Sequence, residues 1–559
     1  MAETEAEVVQ STGWSRRAPF LVFAAVQLFA LVFWLNAGRL EWFYLDEWDF
    51  LAQRKATSLG DLFRPHNEHW TTVPILFYRA LYFFFGLREY FPYRLVVVVF
   101  YLVGAALLYV VILRAGVHPW IATAAASLFT LFGAGWENAI KPFQMTFTGA
   151  VVFGLVQLLL SDHDGPFDRR DGLGMVAGLI ALMFSGIAIT MVFVVGLAVL
   201  LRRGWRNALL HVVPLAAVYG VWWLAAGHGG KVRQLGAQHP LTVGSIVGFV
   251  AMGLRGAFSA LGHYAGLGAV LALVLVVGLP FARSQRLRSG RLAELAAPVA
   301  LLVGAVVFLA STAIGRSSFG SDYARISRYI SLTAAMVLPA LAVAFDALAR
   351  RWRFLLPIGI VLLLVGIPSN LREVAVAQRP LDSLYSKTRL TILTLPRDAL
   401  AAQTPRSLRP EQLTARYVTI GWLLDGVRQG RIPKPPFTIQ DVVSSANFRL
   451  SFLQTDGPAP VTGCFTFDKP MLLTLRKGEV LGIYDNPVSL IPAVLPYLVG
   501  FGMVFVPAEG HAVTVLRPVR RVQLSPYDRS RPPRVCTGPG YPRPTPGVDN
   551  TTTTTSPGG

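Results

Sequence analysis

The chain is short of charge. Asp, Glu, Lys and Arg make up 15% of its 559 residues, against about 25% in soluble globular proteins. With 53% hydrophobic residues and a mean hydropathy of +0.50, that shortage argues against a soluble globular chain. Cysteine is almost absent. Cys464 and Cys536 are the only two, which excludes a Cys-rich metal site and allows one disulfide if their region lies outside the cytoplasm. Acid is scarce relative to base, 31 residues against 51, for a net charge of +20. Such a balance raises the question of nucleic acid. Zinc-finger spacing and an aromatic RNA-binding signature are both lacking. Much of the arginine lies between apolar runs, where it orients a membrane chain and meets anionic lipid. Membrane lipids are therefore the expected partner, and nucleic acid is not.

What is present is a series of apolar runs near the length that crosses a bilayer, about 20 helical residues. The first, residues 19–37, follows Arg16 and Arg17 and is too long for a signal-peptide core. Further runs lie near 93–113, 119–135, 145–161, 172–185, 187–201, 207–226, 264–282, 292–314, 329–349 and 353–369. The expected fold is an α-helical polytopic membrane protein of about 11 transmembrane helices, with a small C-terminal α+β or β-containing extracytoplasmic domain. The expected boundaries are a cytoplasmic N-terminus at 1–18 and a transmembrane domain at 19–370. An extracytoplasmic domain at 371–535 and a disordered tail at 536–559 follow. The density of arginine in short loops sets this orientation. Residues 172–201 break at Ser185-Gly186 and read as two short helices meeting at a turn. Residues 241–260, interrupted by Gly253, Arg255 and Gly256, read as an interfacial or re-entrant helix. Residues 488–506 carry Pro492 and Pro496 and read as the core of a soluble domain, with a twelfth span as the alternative. Alternation and turn residues over 461–523 predict strands.

In this topology the polar sequence gathers on the outer face. The first outside loop, 40–92, holds Asp46, Glu47 and Asp49 in "YLDEWDFL", then His66, Glu68 and His69 in "PHNEHW". It continues into an aromatic stretch with Arg79 and Arg88, suited to a helix on the membrane surface. Clustered carboxylates near a low-dielectric boundary can supply a base or bind a divalent cation. They can equally be a solvated helix start, with Asp46 as cap and Trp48 and Phe50 as interface anchors. His66 and His69 are three apart, one short of the HExxH spacing, and Pro65 and Asn67 favour a turn. Substrate hydrogen bonding suits this pair better than metal. The last outside loop carries Arg316, Arg325, Arg328 and Tyr329. Arginine forks suit phosphate, and the phosphate beside a bilayer is lipid-linked; a headgroup-binding belt is the alternative. Lys231, Arg233, Trp136, Glu137 and Lys141 are weaker candidates.

An N-terminal span, an acidic pair in the first outside loop, an interfacial helix, many further spans and a C-terminal outside domain resemble the GT-C glycosyltransferase superfamily. "YLDEWDFL", "RPHNEHW" and "GRSSFGSDYARISRY" look like a bacterial branch of it. The resemblance covers residues 15–370. It implies a bacterial plasma-membrane enzyme that takes sugar from a polyprenyl-phosphate donor. The acceptor would be a glycan, lipid or protein on the extracytoplasmic side. Asp46 would be the general base and Glu47 would position the acceptor or a metal, with Asp49 in reserve. Arg316, Arg325 and Arg328 would hold the donor phosphate by their chemistry, and direct attack would invert the anomeric centre. The resemblance leaves dependence on a divalent cation undecided. A lipid-linked glycan ligase and a transporter or flippase are the competing readings.

Overall fold

The computed structural model describes residues 2–229, 240–437, 440–455, 459–492, 503–508, 510–528 and 530–538. Of the expected tail, 539–559 lie outside the described residues, as do Lys231 and Arg233; its first residue, Cys536, was expected to be disordered and instead ends a strand and is held by a disulfide. The chain divides into two compact units. The first comprises Met1–Glu41, Lys55–Arg79 and Phe91–Leu381, the second Trp42–Arg54, Ala80–Tyr90 and Asp382–Gly559. Residues 40–92, expected as the first outside loop, are thus shared between the units. Their acidic segment clusters with the C-terminal region, while "PHNEHW" stays with the helices.

The helical elements are α1 (Ala2–Ala37), α2 (Leu59–Phe63), α3 (Thr72–Phe85), α4 (Phe91–Arg114), α5 (Pro119–Thr130) and α6 (Trp136–Ile140). Then come α7 (Met145–Ser161), α8 (Arg169–Leu182), α9 (Ile187–Arg203), α10 (Trp205–Ala225), α11 (Val243–Gly262) and α12 (Leu267–Arg288). The series ends with α13 (Ala296–Arg316), α14 (Ser327–Arg351), α15 (Leu355–Leu364) and α16 (Ile367–Thr394). Among the described residues, 9 helical segments are long and apolar enough to cross a membrane. Eight fall on expected runs. The ninth is α11, for which an interfacial or re-entrant helix was expected. Its glycines do not interrupt it, because they sit at helix contacts. A Cβ on Gly253 would come within 2.5 Å of Leu309 on α13. Small residues at such positions let backbones approach closely. Three other expected spans form shorter helices: α5 has 12 residues, α8 has 14 and α9 has 17. The last two meet at Ser185-Gly186, as the sequence predicts.

Helix α14 is the core of this unit. Its apolar window is 94% buried, whereas those of α1, α10 and α11 are 22% buried. Its alanines, including Ala340 and Ala344, allow this crowding. Gly278 of α12 packs so closely that a Cβ there would lie 2.6 Å from the Ala344 carbonyl. The outer helices instead expose Val32, Val221, Leu224 and Val276, an apolar surface suited to hydrocarbon. At one end of α14, Asp346 accepts hydrogen bonds from the His118 backbone at 2.9 Å and from Arg350 at 2.6 Å.

The second unit is built around two antiparallel sheets. The five-stranded sheet runs β1 (Phe452–Thr455), β7 (His511–Val515), β4 (Val480–Tyr484), β9 (Arg534–Cys536), β2 (Cys464–Thr466). The other runs β3 (Met471–Leu475), β8 (Val519–Pro526), β5 (Val488–Pro492), β6 (Val504–Val506). Residues of both sheets, among them Ile483, Val488, Val515 and Leu524, share one core. The doubtful stretch 488–506 is therefore sheet at its two ends; residues 493–502 lie outside the described residues. Cys464 and Cys536 are directly opposed on β2 and β9 and form a disulfide. The helices α17 (Ile420–Arg428) and α18 (Gln440–Arg449) precede the strands. Within the same unit, Trp48 packs edge-on to Trp422 at 6.2 Å and Phe43 edge-on to Tyr90 at 4.7 Å.

Candidate functional site

The acidic segment turns sharply. Leu45 has φ 47°, and its N–H donates to the Thr414 carbonyl at 2.8 Å. One turn later the chain enters a π-helical turn, Asp49–Gln53, a form found often at functional sites. Each of the three carboxylates meets donors of its own. Glu47 is 3% exposed. It accepts from the Tyr44 N–H at 2.9 Å and from the Tyr90 hydroxyl at 3.1 Å. Asp49 is clasped by Arg54, with Nη2 at 2.8 Å and Nε at 3.1 Å from Oδ2, and both side chains are almost fully buried. Asp46 is the accessible one. Its side chain is 32% exposed and accepts from Arg416 Nη2 at 3.0 Å. Arg416 also lies 4.7 Å from the centre of the Tyr417 ring. Burial pushes the Tyr417 phenol above its usual range, against the pull of Arg416. Trp48 and Phe50 are fully buried, so neither serves as an interface anchor.

In the helical unit "PHNEHW" forms the expected turn. His66 and His69 exchange backbone hydrogen bonds at 3.0 Å each way, and Asn67 between them has φ 51°, a conformation asparagine tolerates. The two imidazoles face different aromatics, His66 toward Phe143 and His69 toward Phe147. A cavity of about 590 Å³ is lined by Glu68, His69, Thr190, Tyr219, Arg316 and Tyr329, with apolar walls that include Phe147, Ile189 and Phe308. Arg316 Nη2 donates to Glu68 Oε1 at 2.7 Å. His69 Nε2 lies 3.6 Å from the same oxygen. Burial holds the His69 imidazole below its usual pKa, partly offset by Glu68 and reinforced by Arg316 and His66. Gly186 makes room for this ring, since a Cβ there would lie 2.9 Å from His69 Nδ1. A second, almost wholly apolar cavity of about 540 Å³ lies between α9 and α10. Ile189 and Tyr219 line both cavities.

The three arginines part company. Arg316 enters the first cavity. Arg325 lines a separate one of about 730 Å³ with Trp136, His263, Asp322 and Glu373. Arg328 lies over the Tyr329 ring at 5.5 Å and donates to the Tyr323 hydroxyl at 3.3 Å. Glu137 pairs with Lys141 at 3.2 Å. Of the residues singled out from the sequence, Glu68, His69, Arg316 and Tyr329 are thus brought to one wall. His66, Arg325 and Arg328 are not among its lining.

Among the described residues, one His/Asp group has metal-like spacing: His163, Asp168 and Asp171. Its chemistry is that of an ion-pair knot. Arg203 already donates to both Asp171 oxygens, at 2.7 and 3.1 Å, and His211 Nε2 lies 3.0 Å away. A cation placed there would face the guanidinium. Burial opposes charge on Asp171, yet Arg203 and the Asp168 N–H hold its pKa at about 2. Sequence reasoning missed Arg416, Tyr90 and Arg54, which lie 370, 43 and 5 residues from their carboxylates; only the Asp49–Arg54 spacing offered a local signal.

No family model, curated protein or solved structure matches the chain.

Proposed function

We propose that this protein is a membrane glycosyltransferase of the GT-C type, moving a sugar from a polyprenyl-phosphate donor to an extracytoplasmic acceptor. The observation that carries the reading is the amphipathic pair of cavities in the helical unit. Arg316, His69 and Tyr329 offer polar contacts for a headgroup, and the adjoining apolar cavity suits a hydrocarbon chain. An anionic headgroup joined to an apolar tail matches both. The disulfide supports an oxidising, extracytoplasmic setting for the second unit, and the apolar helices support a multi-pass membrane location, which we read as the bacterial plasma membrane.

In the proposed step Asp46 takes the proton of the acceptor hydroxyl. The acceptor oxygen bonds to the anomeric carbon as the bond from that carbon to the phosphate oxygen breaks. Polyprenyl phosphate leaves with the electron pair, and the centre inverts. Asp46 is assigned the base because it is the exposed member of the triplet. Buried Glu47 would position the acceptor segment, and within the helical unit the donor phosphate is assigned to Arg316. Asp49 is assigned to holding the loop through Arg54. A divalent cation remains compatible with this scheme. A lipid-linked glycan ligase would use the same headgroup cavity, and the mass of the product separates one added sugar from a whole chain.

The test uses purified full-length protein with a polyprenyl-phosphate-linked sugar, following release of polyprenyl phosphate. Asp46→Ala is expected to lower turnover by about 10²–10⁴-fold. Transfer at the unaltered rate would remove the base assignment, and translocation of lipid without any covalent product would replace the enzyme by a flippase.

A further inference from the structure

Glu68 has no task in the scheme above, and its surroundings are unusual for a carboxylate that only holds structure. One oxygen accepts from Arg316 at 2.7 Å. The other, Oε2, is buried and meets no donor. Desolvation lowers the pKa of the neighbouring His69 imidazole, and the permanent positive charge beside Glu68 is that of Arg316. The side chain is 37% exposed at the cavity wall, where it can turn without breaking a packed core. With Glu68 partly exposed and Arg316 reaching the same cavity, an anion in the cavity can compete with the carboxylate for the guanidinium.

We propose that Glu68 is the charge-selecting residue of this cavity, competing with a bound phosphate for Arg316 and favouring a singly charged phosphodiester over a doubly charged phosphomonoester. The inference rests on the reading that Arg316 meets a lipid phosphate. Its logic is charge counting. A sugar-linked donor is a phosphodiester with one negative charge. The lipid phosphate it leaves behind is a monoester, which carries about −1.5 to −2 near pH 7. A fixed carboxylate beside the anion repels each ligand in proportion to its charge. Glu68 therefore weakens the product's hold more than the donor's, and the cavity releases what the reaction leaves. The arrangement differs from a plain phosphate clamp, in which every charged side chain is cationic and the doubly charged product binds best.

The test measures binding to full-length protein in detergent with three probes: farnesyl phosphate, farnesyl methyl phosphate and uncharged farnesol. Glu68→Gln is expected to tighten the monoester about tenfold and the diester about threefold, because the lost repulsion scales with ligand charge. Farnesol binding stays unchanged. Glu68→Asp, which keeps the charge, retains the native monoester-to-diester ratio, and equal thermal midpoints show that the variants fold. Arg316→Ala weakens both phosphates with or without Glu68. If Glu68→Gln leaves that ratio unchanged, or weakens both phosphates, while Arg316→Ala still abolishes their binding, charge selection is wrong and the lipid-phosphate reading survives. If Arg316→Ala binds both phosphates as the native protein does, that reading falls and the inference falls with it.

Discussion

The two units turn the same residue types in opposite directions. In the helical unit Val221, Leu224 and Val276 are 67–69% exposed, while in the sheets Val488, Val515 and Leu524 are fully buried. The first pattern suits a chain whose outer solvent is hydrocarbon, the second a domain that gathers its apolar surface away from water. Their charges differ as well. In the loop-one segment Glu47 and Asp49 are internal and satisfied, and only Asp46 of the triplet is substantially exposed. In the helical unit Glu68 and Arg316 stand at a cavity wall. Accessibility, more than the density of acid in the sequence, separates groups that can meet a substrate from groups that hold the chain.

Three measurements press on this contrast. The largest effect is expected from breaking the buried pair in the second unit. Arg54→Met leaves Asp49 charged and without its guanidinium, and should cost about 3–5 kcal/mol of that unit's stability in thermal or denaturant unfolding. A change within error would mean that the pair is open to water. Next comes a matched pair of leucines. Leu524→Ala should destabilise by about 2–5 kcal/mol through cavity formation. Leu224→Ala, on the outer face of α10, should change stability in detergent by no more than about 0.5 kcal/mol. Equal losses at both sites would abolish the distinction between inward and outward packing. The third measurement concerns Asp171, whose effect is smaller than either of the losses expected at Arg54 and Leu524. Its folded pKa of about 2 lies below the ordinary carboxylate value, so the unfolded state binds its proton first. The stabilisation is complete above about pH 4 and fades as pH falls towards 2. It amounts to about 2 kcal/mol at one pKa unit per 1.36 kcal/mol. Asp171→Asn should flatten that limb of the pH–stability curve, and a curve identical to that of the native protein would contradict the assignment.

Much of this was legible in order along the chain. Apolar run length gave α1, α4, α7, α10 and α12–α14, because a helix satisfies its own backbone and needs only apolar side chains to sit in lipid. Pro65 and Asn67 marked the turn between His66 and His69, and Ser185-Gly186 marked the break between α8 and α9. Strands between 461 and 523 followed from alternation. Other features were misread for local reasons. Gly253, Arg255 and Gly256 look like interruptions of α11 until the neighbouring helix is known, since a glycine that weakens an isolated helix also permits a close contact. The arginines after residue 315 look like one cluster, but short 3₁₀ turns at Ser317–Phe319 and Ser321–Arg325 send Arg316 and Arg325 to different cavities.

The sequence by itself determined the composition of the membrane-facing helices, the main turns, the two cysteines and the set of residues able to do chemistry. Those properties depend on side-chain type and on spacing over a few residues. Only the tertiary structure decided which carboxylate of the DEWD segment is exposed, that Arg416 pairs with Asp46, and that Glu68 faces Arg316. The reason is physical: an ion pair forms between groups that folding brings within about 4 Å, whatever their separation along the chain, and burial is set by neighbours that a local pattern does not name.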